Sequence, residues 1–548
     1  MKRRYFLLAI LITAIIGVSA QPDKQMNAFI DKLMSQMTLE EKIGQLNLPV
    51  STSFIAGERK DGGLTPLEQR IANGEVGGLF GMKGAKQIRE KQKIAVEKSR
   101  LHIPLLFGLD VIHGYETTFP IPLALSTSWN MELIEREARI SATEASVDGI
   151  NWVFSPMVDI CRDARWGRIA EGAGEDPYLG AEIAKALVRG YQGKNNDFSV
   201  ENTVMACVKH YALYGAAEAG RDYNTVDMSR QRMMNEYMLP YKAAAGQGAG
   251  SFMASFNEFE GIPATANKYL LDDILRKQWG FRGFVVSDYT GIPEMINHGI
   301  GDLQTVSARA LDAGIDMDMV SEGFTKTLKQ SLAEGKVTMA QIDQACRRIL
   351  EAKYKLGLFQ DPYKYCNEER ASKELFSTAN RAISKEIADE CQVLLKNENN
   401  LLPLKKSGRI AVIGPMGDAA SDMPGCWSLT GKADQSVSLY QGIKTAIGNK
   451  GTVTYAKGSD LVADSLLESK LNGMMGFVIP GMPVKKVHDR KPEDLLKEAL
   501  ELAKNSDIII AALGENANMN GEGASRSIPD IPEPQKELLK SLVATGKP

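Results

Sequence analysis

Short apolar runs separated by amphipathic stretches recur along most of the chain. VGGLFG (76–81), IPLLFGLD (103–110), WVFSP (152–156), VMACVKH (204–210), GSFMASFN (250–257), GFVVSD (283–288) and AGIDMDM (313–319) each have the length and β-branched or aromatic character of a buried strand. Between them lie helical patterns. Phe29, Ile30, Leu33, Met34 and Met37 recur at helix spacing, Thr38 with Glu41 forms a capping box, and a polar helix spans Ala85 to Arg100. Strand–helix alternation with these gaps predicts a (β/α)8 TIM-like barrel rather than a doubly wound sheet. These runs supply seven strands where a closed barrel needs eight, so one strand is irregular or unmarked.

A helix carrying Ile342, Ala345, Cys346, Ile349 and Leu350 leads to YKLGLFQDPY (354–363), where the barrel ends at about residue 362. Pro362 and the polar residues after it suit a linker over 363–380. A second α/β unit follows over 381–548, entered through a helix spanning Leu375 to Leu395. Its strands are RIAVIGP (409–415), VTYAKG (453–458) and DIIIAALGE (507–515). Gly414 and Gly417 do not make a dinucleotide fingerprint, and Leu471 to Pro483 shows no usable period.

At 548 residues, 44% apolar and 24% charged with a net charge of −3, the chain has the composition of a globular protein with no broad basic surface for nucleic acid. Lys2, Arg3 and Arg4, an apolar run from Tyr5 to Val18 and the small residues up to Ala20 describe a secretory signal peptide over 1–20. The run is too short for a membrane span. A periplasmic or secreted protein with no membrane span in its mature form is expected. Six dispersed cysteines make neither a disulfide scaffold nor a CxxC site, and Cys207 reads as a buried thiol. The five histidines lack metal-ligand spacing, so neither a metal nor a cofactor is expected.

The chemistry gathers at the strand ends. Asp110, Lys209 with His210, Asn257 and Asp288 all follow strands, and a charged loop, CRDARWGRIAEGAGEDP (161–177), follows WVFSP. Opposite charges converging on the C-terminal rim of a barrel are costly unless they face a polar ligand. Taken singly, Asp288 could equally cap a helix. Lys209 and His210, taken in isolation, read first as a structural ion pair beside a core histidine.

These motifs, in this order, resemble glycoside hydrolase family 3, in its exported β-glucosidase branch. They are GLDVIHG (108–114), CRDARWGR with EGAGEDP, CVKHYALYG with YNTVDMS, GFRGFVVSDY, AKYKLGLF, LLKNENNLLPL (394–404) and GEGASR (521–526). The resemblance implies a (β/α)8 barrel followed by an α/β sandwich, often with a fibronectin-like domain behind it. It implies a nucleophile at Asp288 and an acid/base at Glu522, with Glu515 at the end of DIIIAALGE as the decoy. It also implies a sugar site formed by Asp110, Arg168, Lys209 and His210, with Asp222 as a supporting carboxylate and Tyr289 as a wall of subsite +1. Two carboxylates, one to attack the anomeric carbon and one to protonate the leaving oxygen, are what glycoside cleavage needs.

The implied activity is that of a retaining, exo-acting β-glucosidase with an oligosaccharide partner, and a homodimer is left open. Nearest alternatives are a β-xylosidase of the same family and, from another class, a periplasmic sugar-binding protein. The loop KHYALYGAAEAG lacks the histidine motif of the family's N-acetylglucosaminidases. Tyr289 stands where plant relatives have Trp, and Phe256 stands where some members have Tyr, which bears on aglycone preference. Trp427 lies in PGCWSLTG, with no clear counterpart to the second clamping aromatic. The chain's end at Pro548 reads as a C-terminal truncation that leaves the sandwich incomplete.

Overall fold

A computed structural model describes residues 24–51, 64–471 and 487–548 of the chain. The expected signal peptide lies outside the described residues, as does most of the Gly- and Met-rich segment from Leu471 to Pro483.

The first unit contains β1 (Asn47–Leu48), β2 (Gly78–Phe80), β3 (Leu106–Leu109), β4 (Trp152–Val153), β5 (Met205–Tyr211), β6 (Ser251–Ala254), a hairpin of β7 (Glu258–Phe259) and β8 (Ile262–Pro263), then β9 (Phe284–Val286) and β10 (Asp318–Met319). Strands β2-β3-β4-β5-β6-β9 form one continuous sheet, parallel at each pairing. The curl closes through three further parallel contacts. Ser287 N donates to Met317 O at 2.9 Å beside a Val286–Met317 bridge. β10 pairs with β1. Phe80 N donates to Pro49 O at 3.0 Å beside a Val50–Phe80 bridge.

The strand that hydrophobic pattern left unmarked is therefore β1. It is two residues long and runs straight into Pro49, too short to carry a period of its own. The Thr38–Glu41 capping box just before it forms as expected and starts the helix Leu39–Gln45. Inside the ring, Trp152 stands edge-on to Phe154 and Phe284, with centroids 4.8 and 4.9 Å away. Gly108 is in β3 because a Cβ there would sit 2.5 Å from the Phe154 ring. The barrel is a packed core, so polar chemistry is confined to its rim.

Residues 363–380, expected as a linker, include the helix Glu368–Glu374 and the start of the helix Thr378–Glu390. Both pack back on the barrel, where the buried Glu144 accepts from Phe376 N at 2.9 Å and Asn380 Nδ2 at 2.8 Å. The second unit is a parallel sheet ordered β12-β11-β13, with β11 at Gly408–Ile413, β12 at Gly451–Ala456 and β13 at Ile508–Ala511. Helices Pro492–Lys504 and Glu533–Val543 cover it with Ala499, Ala503, Leu538 and Leu542. In β13, Ile508, Ile509 and Ile510 are only half-buried, and Ile509 N donates to the carbonyl of Pro548.

Candidate active site

Lys209 and His210 lie in β5, and Asp110 follows β3. Lys209 Nζ is 2.6 Å from Asp110 Oδ1, and both side chains are buried. A buried ion pair is no bargain for stability, because desolvating two charges offsets their attraction. Its presence at the rim is better explained by a polar ligand.

Arg168 comes from the loop after β4 and is 1% exposed. It forks onto Glu171, with Nε to Oε1 at 2.9 Å and Nη2 to Oε2 at 3.1 Å. Nη2 also lies 2.9 Å from His210 Nε2. Guanidinium can only donate, so Nε2 carries a lone pair and the His210 proton is on Nδ1. That proton points at Asp159 Oδ2, 2.9 Å away, and the same oxygen accepts His210 N at 2.9 Å. Burial, then the charges of Arg168 and Lys209, hold His210 well below the usual imidazole range, so the ring is neutral. Burial pushes Asp159 up to about 6, against donation from Tyr241 and His210, and it is ionised at neutral pH.

Asp288 stands two residues beyond β9 and is 8% exposed. Its Oδ1 accepts Tyr289 N at 2.7 Å, whereas the buried Oδ2 makes no hydrogen bond. His210 Nε2 is 3.7 Å from Oδ2 but has no proton to offer it. Burial and the charge of Glu522 push the Asp288 carboxyl up, opposed by Arg168 and Lys209.

Glu522 is delivered by the second unit. Its loop is laced to the barrel: Gly521 N donates to Gly167 O at 2.9 Å, Gly167 N to Ala524 O at 2.9 Å and Arg526 N to Arg165 O at 2.9 Å, around a Trp166–Ser525 bridge. Tyr223 Oη donates to Glu522 Oε1 at 2.7 Å, and Arg168 Nη1 approaches the same oxygen at 3.3 Å. Glu515 is instead ion-paired with Arg526.

Asp222, expected to support the sugar site, is otherwise engaged. Oδ1 accepts Trp166 Nε1 at 2.7 Å and Oδ2 accepts Gly523 N at 2.7 Å. Asn257 is fully buried and spends its amide on the carbonyls of Ala212 and Glu258. Tyr289 is 47% exposed at the mouth, its ring edge-on to Phe80.

Trp427 approaches from the second unit, its ring centre 5.2 Å from Lys209 Nζ and 5.8 Å from the Arg168 guanidinium. Asp159, Glu171, Tyr223 and Trp427 were not among the expected site residues. The only local signal for Glu171 was the charge density of the segment from 161 to 177, and Asp159 lies just ahead of it. Nothing near Tyr223 or Trp427 in the sequence marks a partner on the other unit, such as Glu522 for Tyr223 or Lys209 for Trp427.

A closed parallel barrel with a carboxylate at one strand end, a second carboxylate brought by an appended α/β unit, and an array of buried cations between them defines a glycoside-processing enzyme. The chain belongs to glycosyl hydrolase family 3: residues 38–352 match its N-terminal domain and residues 392–548 its C-terminal domain. It is 42% identical over 526 residues to a periplasmic beta-glucosidase of Salmonella typhimurium, covering 95% of this chain and 67% of that protein. It is 33% identical to a beta-xylosidase of Formosa agariphila, covering 99% and 69% of the two chains. Among solved structures, the beta-glucosidase from Listeria innocua in complex with isofagomine superposes with a TM-score of 0.84 at 34% identity, over 95% of this chain and 68% of that one. The chain thus spans about two thirds of the length of these relatives. Membership places it with hydrolases, against the sugar-binding-protein alternative. All six cysteines are free thiols. No helix among the described residues is long and apolar enough to cross a membrane.

Proposed function

We propose that the chain is a retaining, exo-acting β-glucosidase in which Asp288 is the nucleophile and Glu522 the acid/base. The observation that supports this most is the convergence of two electrostatically coupled carboxylates from different units, one with an oxygen free of hydrogen bonds. Asp288 Oδ2 attacks the anomeric carbon as the bond to the leaving oxygen breaks and Glu522 gives that oxygen its proton. The glycosyl ester is then opened by water, which surrenders a proton to Glu522, and two inversions restore the β configuration. Asp110, Lys209 and Arg168 are suited to charge-assisted hydrogen bonds with the sugar hydroxyls, and Tyr289 borders the leaving-group side. The glucosidase assignment follows the 42% identical relative, and a structure of the Listeria innocua enzyme holds laminaribiose. That relative's periplasmic location and the charged, apolar N-terminus support export.

A 2-fluoro-glucosyl label should attach to Asp288. Glu522→Ala should retain hydrolysis of 2,4-dinitrophenyl β-glucoside while losing cellobiose turnover by about a hundredfold or more, and azide should yield β-glucosyl azide. Labelling at Asp110, or the same kinetic pattern from Glu515→Ala with Glu522→Ala unaffected, overturns the assignment. Faster turnover of the aryl xyloside than of the glucoside would move the specificity to the β-xylosidase reading.

A further inference from the structure

We infer that Asp222 is a positioning residue that seats the Glu522 loop on the barrel, and that it does not hold the sugar; this rests on the acid/base role proposed for Glu522. Asp222 belongs to the barrel unit and is 7% exposed. One oxygen is held by Trp166, whose ring is 1% exposed and packed against Tyr214, so the carboxylate cannot swing. The other oxygen accepts Gly523 N, the peptide immediately after Glu522. Asp222 N in turn donates to Ser525 Oγ at 2.9 Å. The loop is therefore gripped at two points just after Glu522, Gly523 and Ser525, by one barrel residue.

A charged acceptor makes a stronger and shorter bond to a backbone N–H than a neutral one. That matters here because Gly521 and Gly523 adopt φ of +93° and +72°, a backbone that glycine leaves loose. The next residue, Tyr223, hydrogen-bonds the Glu522 carboxyl itself. Backbone and side chain of the acid are thus fixed by two consecutive barrel residues. A general acid displaced by about 1 Å loses most of its effect, whereas Asp110, Lys209 and His210 of the sugar pocket stand on or directly after strands β3 and β5, away from this loop.

The test compares leaving groups in the full chain. Asp222→Ala should lower kcat on cellobiose at least thirtyfold and kcat on 2,4-dinitrophenyl β-glucoside less than fivefold, with KM for the aryl glucoside near wild type. Combined with Glu522→Ala, it should add less than threefold to the cellobiose loss, since both changes remove one function. Asp222→Asn, which keeps the Trp166 acceptor but turns a donor toward Gly523 N, gives the same reading should the alanine variant fold poorly. A raised KM for the aryl glucoside, equal losses on both substrates, or full additivity with Glu522→Ala overturns the inference. If Glu522→Ala itself behaves like wild type, the acid/base assignment fails first.

Discussion

His210 has its proton placed for it. Asp159 accepts at Nδ1 and Arg168 donates at Nε2, so one tautomer satisfies both partners and the other satisfies neither. Asp159→Asn breaks this pairing. An amide there either leaves an oxygen in the place of Oδ2 without the charge that holds Nδ1–H, or turns its NH2 toward both His210 N and the ring, and a proton moved to Nε2 would oppose the Arg168 N–H. Arg168, Asp288 and the sugar side of the pocket share that edge, so the cost falls on catalysis. The expected result is a loss of about a hundredfold in kcat/KM on the aryl glucoside, about 3 kcal/mol of transition-state stabilisation. The ring's 15N shifts should report Nε2–H in the variant. Unchanged kcat/KM with the Nδ1–H tautomer retained would show that Asp159 is structural only. Lys209, His210, Asp110 and Asp288 were legible as polar residues after apolar strands. Asp159 was not, because a buried Asp beside an isoleucine looks local and its partner is 51 residues away.

At the scale of elements, the strands announced themselves because buried parallel strands are short continuous apolar runs. β1 did not, and neither did the polar packing of the helix Met339–Lys355 against the helix Leu39–Gln45 that leads into it. On the first of these helices Lys353 is fully buried, its ammonium 2.5 Å from Gln45 Oε1, and among the described residues no carboxylate is ion-paired with it. Burial pulls this lysine down to about 7. Below pH 7 the folded and unfolded chains both hold the proton, and the full cost of the buried charge is present. Between pH 7 and the ordinary lysine range near 10.4, the unfolded chain binds more protons, so stability rises with pH. Lys353→Met removes the charge at similar length. It should raise stability by about 1 to 4 kcal/mol, less about 1 kcal/mol for the Gln45 oxygen left without its donor. The gain in Tm should be larger at pH 6 than at pH 9. A destabilised variant at pH 6, or a gain indifferent to pH, would mean the ammonium is better solvated than its burial implies.

At the scale of the whole molecule, the site exists only where the two units meet, and that seam had no signature in hydrophobic period. Its contacts join residues about 300 or more positions apart: Asp222 with Gly523, Tyr223 with Glu522, and the 165–167 segment with 521–526. The motifs at either end were readable; their apposition was not, because backbone-to-backbone docking leaves side-chain identity almost free. Gly167 is the exception. It donates to Ala524 O and accepts from Gly521 N, and a Cβ there would lie 2.5 Å from Ala524 O and 2.7 Å from Gly521 O. Those are backbone atoms with no rotamer to yield, so Gly167→Ala must push the loop off the barrel. The barrel's own core does not touch this position, so its melting should move by only a few degrees, as for a loss of about 1 to 2 kcal/mol. Cellobiose turnover should fall by at least tenfold, and turnover of the dinitrophenyl glucoside should fall much less, because only the second unit's contribution is displaced. Equal losses on the two substrates would instead mean that the neighbouring Arg168 had moved with the loop, and that the seam positions the sugar site as well as the acid.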